Sequence, residues 1–174
     1  NDSDRLLVQT NWGAPKGRVM SFDLKNREQS DWKVVIPEAE TPLEGVSTVG
    51  RKMLVSYLKD AHSVVLQYDL QGKMEREITL PGIGTSGSFS GKPGDTQVYY
   101  TFASFTYPTT IFKLDLISGK STLHEQPGLD FDPEAYETKQ VFFESKDKTK
   151  VPMFITYKKG MELNGKNPTW LYAY

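Results

Sequence analysis

Short runs of strictly alternating apolar and polar residues recur along this chain. Met20, Phe22 and Leu24 alternate with Ser21 and Asp23. Leu66, Tyr68 and Leu70 alternate with Gln67 and Asp69, and Phe112, Leu114 and Leu116 with Lys113 and Asp115. A period of two sends successive side chains to opposite faces, so each run predicts a strand buried on one side. The runs are copies of one another: Phe22-Asp23-Leu24, Tyr68-Asp69-Leu70 and Leu114-Asp115-Leu116 each lie 46 residues from the next.

The surroundings repeat with the same period. A strand precedes each run, at Leu6-Leu7-Val8, Met53-Leu54-Val55 and Val98-Tyr99-Tyr100, and turns carrying Gly72 and Gly119 follow the second and third copies. A further strand closes each unit at Pro37, Pro81 and Pro127, as suits an edge strand, because proline cannot donate to a ladder. Two copies also have a Gly-containing lead-in strand, Gly45 to Val49 and Gly87 to Ser90. Four short strands in about 45 residues is the size of a propeller blade. A simple antiparallel sandwich is the competing architecture, and it gives no reason for one interval to recur in one strand context. The prediction is therefore all-β: a partial β-propeller of about three blades of four antiparallel strands, spanning residues 1–132. Closed propellers need about 4–8 blades, so the sequence reads as a fragment that begins inside a blade.

From Asp132-Pro133 the repeat is lost. Lys139 to Phe143 and Val151 to Tyr157 read as strands around a turn at Asp147-Lys148, and Thr169 to Tyr174 reads as a third strand buried on both faces. Residues 133–174 are thus expected to be the truncated start of a second, α/β domain.

Composition narrows the function classes. The 174 residues carry a formal net charge of −1 with 25% charged residues of interspersed sign, which gives no basic footprint for nucleic acid or an anionic membrane. No apolar run approaches the roughly 18 residues that would span a bilayer. The absence of cysteine excludes disulfide frameworks and thiolate metal sites, and leaves cytoplasmic and periplasmic locations equally open.

Three stretches resemble the prolyl oligopeptidase family. Ser145 to Ile155 (Ser-Lys-Asp-Lys-Thr-Lys-Val-Pro-Met-Phe-Ile) resembles the hairpin that opens the family's hydrolase domain. Asn167 to Tyr174 (Asn-Pro-Thr-Trp-Leu-Tyr-Ala-Tyr) resembles the strand leading to its oxyanion loop, and Phe102-Ala103-Ser104-Phe105 with Pro108 resembles a loop of its propeller. Lysine stands at 148 and alanine at 173, where the family usually has glycine. The resemblance implies a serine peptidase that cleaves short peptides after proline without a cofactor, its propeller filtering substrates by size. The family's Ser, Asp and His lie beyond residue 174, so this chain alone is expected to be inactive. By the same resemblance Tyr174 is the tyrosine whose hydroxyl donates to the developing oxyanion in the intact enzyme; in the isolated chain nothing is expected to hold it in place.

The residues themselves agree with a missing triad, since no G-x-S-x-G elbow is present. Gly84 to Ser88 and Gly87 to Gly91 each miss one position and fall in a lead-in strand. His62 and His124 lack companions at metal-ligand spacing and read as solvated surface histidines. Trp12, Phe105 and Tyr107 fall, with His62, in loops between the second and third strands of a blade, and such loops emerge on one face of a propeller. They are candidates for a substrate-access face, lining either a tunnel mouth or the contact with the hydrolase domain; the competing reading is packing within their own loops. A propeller-derived binding module without chemistry is the alternative function, as is a fragment of a sister oligopeptidase. The expected partners are short proline-containing peptides in the parent enzyme and other copies of the fragment, associating through exposed sheet edges.

Overall fold

The computed structural model describes residues 4–25 and 28–173. Two compact units emerge, one ending at Gly128 and the other beginning at Leu129.

The first unit holds three antiparallel sheets in chain order. Blade 1 is β1 (Arg5–Thr10), β2 (Arg18–Asp23) and β3 (Lys33–Ile36). Blade 2 is β4 (Leu43–Val49), β5 (Lys52–Lys59), β6 (His62–Asp69) and β7 (Met74–Ile78), and blade 3 is β8 (Thr85–Ser86), β9 (Gln97–Ala103), β10 (Thr110–Asp115) and β11 (Ser121–Glu125). Each sheet is a meander, so every strand pairs with its sequence neighbours.

The turns follow local chemistry. Gly50-Arg51 and Asp60-Ala61 are two-residue hairpin turns with positive φ throughout, the primed geometry that matches strand twist. The aspartate of each repeated tripeptide folds the turn behind it. Asp69 Oδ1 accepts from the N–H groups of Gln71 and Lys73, Asp115 Oδ1 from those of Ile117 and Ser118, and Asp23 Oδ1 from that of Lys25. Those backbone hydrogen bonds hold the Asp69 and Asp115 carboxyls below the usual carboxylate range.

Burial differs from the one-sided reading. Val65 and Gln67 of β6 are fully buried, while Leu66 and Tyr68 on its opposite face pack against blade 1. Ser21 of β2 is buried as well. The middle blade is covered on both sides because blades stack face to face. One apolar seam joins Val19, Val35 and Ile36 to Met53, Val55 and Tyr57; a second joins Leu54, Val65 and Ile78 to Val98, Phe102 and Leu114. Gly72 closes the first seam at φ +88°, where a β-carbon would stand 2.0 Å from the Val35 carbonyl oxygen. The lead-in strand of blade 3 is displaced from the expected Gly87 to Ser90: β8 is Thr85–Ser86, and within 87–90 only an isolated bridge of Ser90 to Tyr99 forms.

The second unit is a hairpin of β12 (Tyr136–Glu144) and β13 (Lys150–Lys158). Lys148, in its turn, has φ +66°. The third strand expected at Thr169 to Tyr174 is absent from the described residues: Thr169 to Ala173 is irregular, and Trp170 is 89% exposed. An apolar run becomes a strand only where a neighbour takes its backbone hydrogen bonds, and β12 and β13 pair only with each other.

Candidate functional site

Antiparallel order puts the β1–β2, β5–β6 and β9–β10 connections at one end of the stacked blades, and β11 ends there too. Trp12, Phe105 and Tyr107 stand in these connections, and His62 opens β6 beside one.

Trp12 is 52% exposed, and its N–H donates to Thr10 Oγ1. Its ring meets Trp32 edge-on at 6.5 Å, and the Arg18 guanidinium carbon lies 5.6 Å from the ring centre. In the β9–β10 connection the Ser104 hydroxyl accepts from the N–H groups of Thr106 and Tyr107, while the Ser104 N–H donates to the Tyr107 carbonyl. That small turn lays Tyr107 edge-on against Phe102 at 6.1 Å and leaves Phe105 67% exposed. Trp12 meets Trp32 of its own blade, while Tyr107 meets Phe102 and packs on the apolar cluster shared by blades 2 and 3; the three aromatics stand at one end of the unit. Tyr174 lies outside the described residues.

The serine elbow look-alikes sit in blade 3, with Ser86 in β8 and Ser90 bridged to Tyr99. Ser86 donates its backbone N–H to the Ser63 hydroxyl of blade 2, and Ser63 its own to the Gly84 carbonyl. Nucleophilic activation needs a base within hydrogen-bond reach. Among the described residues neither histidine hydrogen-bonds a serine: His62 Nδ1 is buried without a partner, contrary to a fully solvated reading, and the His124 ring packs on Tyr99 at 4.8 Å. Among the described residues no group of three or more His, Cys, Asp or Glu side chains is placed to hold a metal ion, and no helix is long and apolar enough to cross a membrane.

Sequence reasoning missed the polar joint between blades 2 and 3. Gln67 Nε2 donates to Glu75 Oε2 at 2.8 Å and to the Leu116 carbonyl at 3.0 Å, and Lys52 Nζ closes on the other oxygen of Glu75. The bond from Gln67, then that from Lys52, lowers the Glu75 carboxyl. The available signal was a polar residue at one position of every copy: Ser21, Gln67 and Lys113.

Meandering sheets of repeated sequence, stacked face to face, make the first unit a set of β-propeller blades. Residues 1–127 match the family described as prolyl oligopeptidase, N-terminal beta-propeller domain, and the chain belongs to that family. Over 173 residues it is 43% identical to a prolyl endopeptidase of Elizabethkingia miricola, covering 99% of this chain and 24% of the relative. A prolyl endopeptidase of Dictyostelium discoideum is 35% identical over 177 residues, covering 95% of this chain and 23% of the relative. A solved structure from a study of two prolyl endopeptidases superposes with a TM-score of 0.80 at 40% identity, over 92% of this chain and 24% of that one. The chain spans about a quarter of the length of these relatives.

Proposed function

We propose that this chain is a segment of a serine peptidase that cleaves short peptides after proline. Its blades act as a filter on substrate size, and residues 133–174 are the opening strands of an α/β-hydrolase catalytic domain. One observation carries the reading: the 43% identity to a prolyl endopeptidase runs over 99% of the chain, through the β12–β13 hairpin as well as the blades. A stand-alone binding module has no need of that hairpin.

In this reading Trp12, Phe105 and Tyr107 line the face by which peptides enter, supported by their common end of the blades and by the exposure of Trp12 and Phe105. Tyr174 donates to the oxyanion in the intact enzyme, an aim that matters because charge develops there only in the transition state. Exposed Trp170, Leu171 and Tyr172 support self-association of the isolated segment, which light scattering would detect as a mass above the monomer.

The test is hydrolysis of proline-containing chromogenic peptides of increasing length by the full-length protein and by residues 1–174 alone. Cleavage of short peptides by the full-length protein only is expected. Phe105→Ala and Tyr107→Ala should raise the relative rate on long peptides while leaving the shortest nearly unchanged. No cleavage by the full-length protein would favour the binding module, and cleavage by residues 1–174 would overturn the assignment.

A further inference from the structure

β13 ends at Lys158, and the chain beyond it forms a loop fastened at its base. Met161 donates its N–H to the Lys158 carbonyl, and Asn167 Nδ2 donates to the Glu162 carbonyl at 2.7 Å. The tip between these ties carries Asn164-Gly165, the one Asn-Gly pair of the sequence. Both residues are exposed, and nothing lies within 4 Å of the position of a β-carbon on Gly165, which holds φ +76°.

An asparagine side chain holds its carbonyl carbon close to the next main-chain nitrogen, so attack by that nitrogen is intramolecular and favoured by proximity. Three features of the tip suit this attack. The nucleophile is free: among the described residues the Gly165 N–H has no hydrogen-bond partner. It is also unhindered, since glycine has no side chain and turns readily through the conformations that ring closure needs. The electrophile is polarised, because the Lys166 N–H donates to Asn164 Oδ1 at 3.0 Å. A donor on that oxygen stabilises the negative charge it gains in the transition state. The other described asparagines lack this combination. The N–H of Trp12, which follows Asn11, is taken by Thr10 Oγ1, and Pro168, which follows Asn167, has no N–H.

We infer that Asn164 is a self-modification site that converts, without an enzyme, to a mixture of aspartate and isoaspartate. Gly165 N gives up its proton to solvent base and bonds to Asn164 Cγ. The Cγ–Nδ2 bond then breaks, and Nδ2 takes a proton from water and leaves as ammonia. Water opens the resulting succinimide at Cγ to give aspartate, or at the main-chain carbonyl carbon to give isoaspartate. Nothing is oxidised or reduced. Either product places a new carboxylate between Lys159 and Lys166 in the sequence. Isoaspartate also lengthens the main chain by one methylene between β13 and the exposed run Trp170 to Tyr172. The inference stands apart from the peptidase reading, since it concerns the chemistry of the chain itself.

The test ages the folded full-length protein at neutral and at mildly alkaline pH, beside a synthetic peptide of residues 160–166, the stretch that trypsin releases. That tryptic peptide should gain the mass of an amide-to-acid exchange as two separable isomers, one of them a substrate for isoaspartyl methyltransferase. The conversion should run at the synthetic peptide's rate or faster, and faster at the higher pH. Peptides carrying Asn11 and Asn167 should stay unchanged, and Asn164→Gln, whose side chain must close a larger ring, should lose the conversion. Slower conversion in the folded protein than in the peptide, or none, would overturn the inference by showing that the fold shields the pair. A single aspartate product would overturn the succinimide step.

Discussion

Gln67 of blade 2 donates its side-chain amide to the main-chain carbonyl of Leu116 in blade 3, across 49 positions of sequence. The glutamine is fully buried, and its second hydrogen on Nε2 goes to Glu75 in its own blade. One side chain therefore ties the two sheets from within their apolar seam, in addition to the hydrogen bonds that the backbone N–H groups of Ser63, Ser86 and Phe89 make between them. Gln67→Leu keeps roughly the volume and deletes the donor, leaving the Leu116 carbonyl buried without its partner. The expected loss is about 1–3 kcal/mol of unfolding free energy, measured by urea denaturation. An unchanged midpoint would mean that the two blades do not depend on this bond.

Acid should loosen the same joint. Donation from Gln67, with the Lys52 ammonium, lowers the folded-state pKa of Glu75 below its unfolded value. A lowered folded pKa gives stability that is present above the unfolded value, about 4.3, and lost as pH falls through the folded one. Stability should therefore decline below about pH 4. Glu75→Gln should flatten that part of the profile while lowering stability at neutral pH. A variant profile parallel to the parent's would remove Glu75 from the account.

Gly72 sets a sharper steric test. At φ +88° with the Val35 carbonyl oxygen 2.0 Å from the position of a β-carbon, alanine strains the backbone and collides with blade 1. Gly72→Ala is expected to cost at least about 2 kcal/mol. Gly82→Ala is the control, since nothing lies within 4 Å of its β-carbon position and its φ is not in the left-handed region. Similar unfolding midpoints for the two variants would refute the seam geometry.

Lys148 runs the argument in the opposite direction. It holds φ +66° beside Asp147, whose carboxyl is lowered to about 2, first by the Ser145 hydroxyl and then by the Thr149 N–H. Lys148→Gly relieves the left-handed strain at some cost in unfolded-chain entropy, for a net gain of up to about 1 kcal/mol. Amide exchange along β12 and β13 should slow in this variant, and Lys148→Ala should show no such slowing.

Much of the first unit was legible because its signals are local. The 46-residue interval, the alternation and the aspartates at 23, 69 and 115 all act within a few residues of themselves. What alternation could not convey was stacking: Gln67 and Ser21 look solvent-facing by polarity, yet both lie in seams, because a polar residue is buried when a partner meets it. Thr169 to Ala173 failed for the complementary reason, since apolar content describes a strand only when another strand accepts its hydrogen bonds. Of the candidate site, chain position alone located Trp12, Phe105 and Tyr107 in loops at a common end. The partners of Trp12, Trp32 and Arg18, depend on how its loop folds back, which no spacing rule encodes.

The aspartate turns also bear on the order in which the protein assembles. Asp69 and Asp115 take donors two to four residues ahead, so these turns close as soon as that short stretch of chain exists. The Gln67–Leu116 bond must wait for dozens of further residues. Closing a short loop takes well under a microsecond and a hairpin microseconds, whereas synthesis adds about 5–20 residues each second. A blade leaving the ribosome thus has ample time to fold its hairpins before its neighbour exists, and each seam is added to a sheet already made.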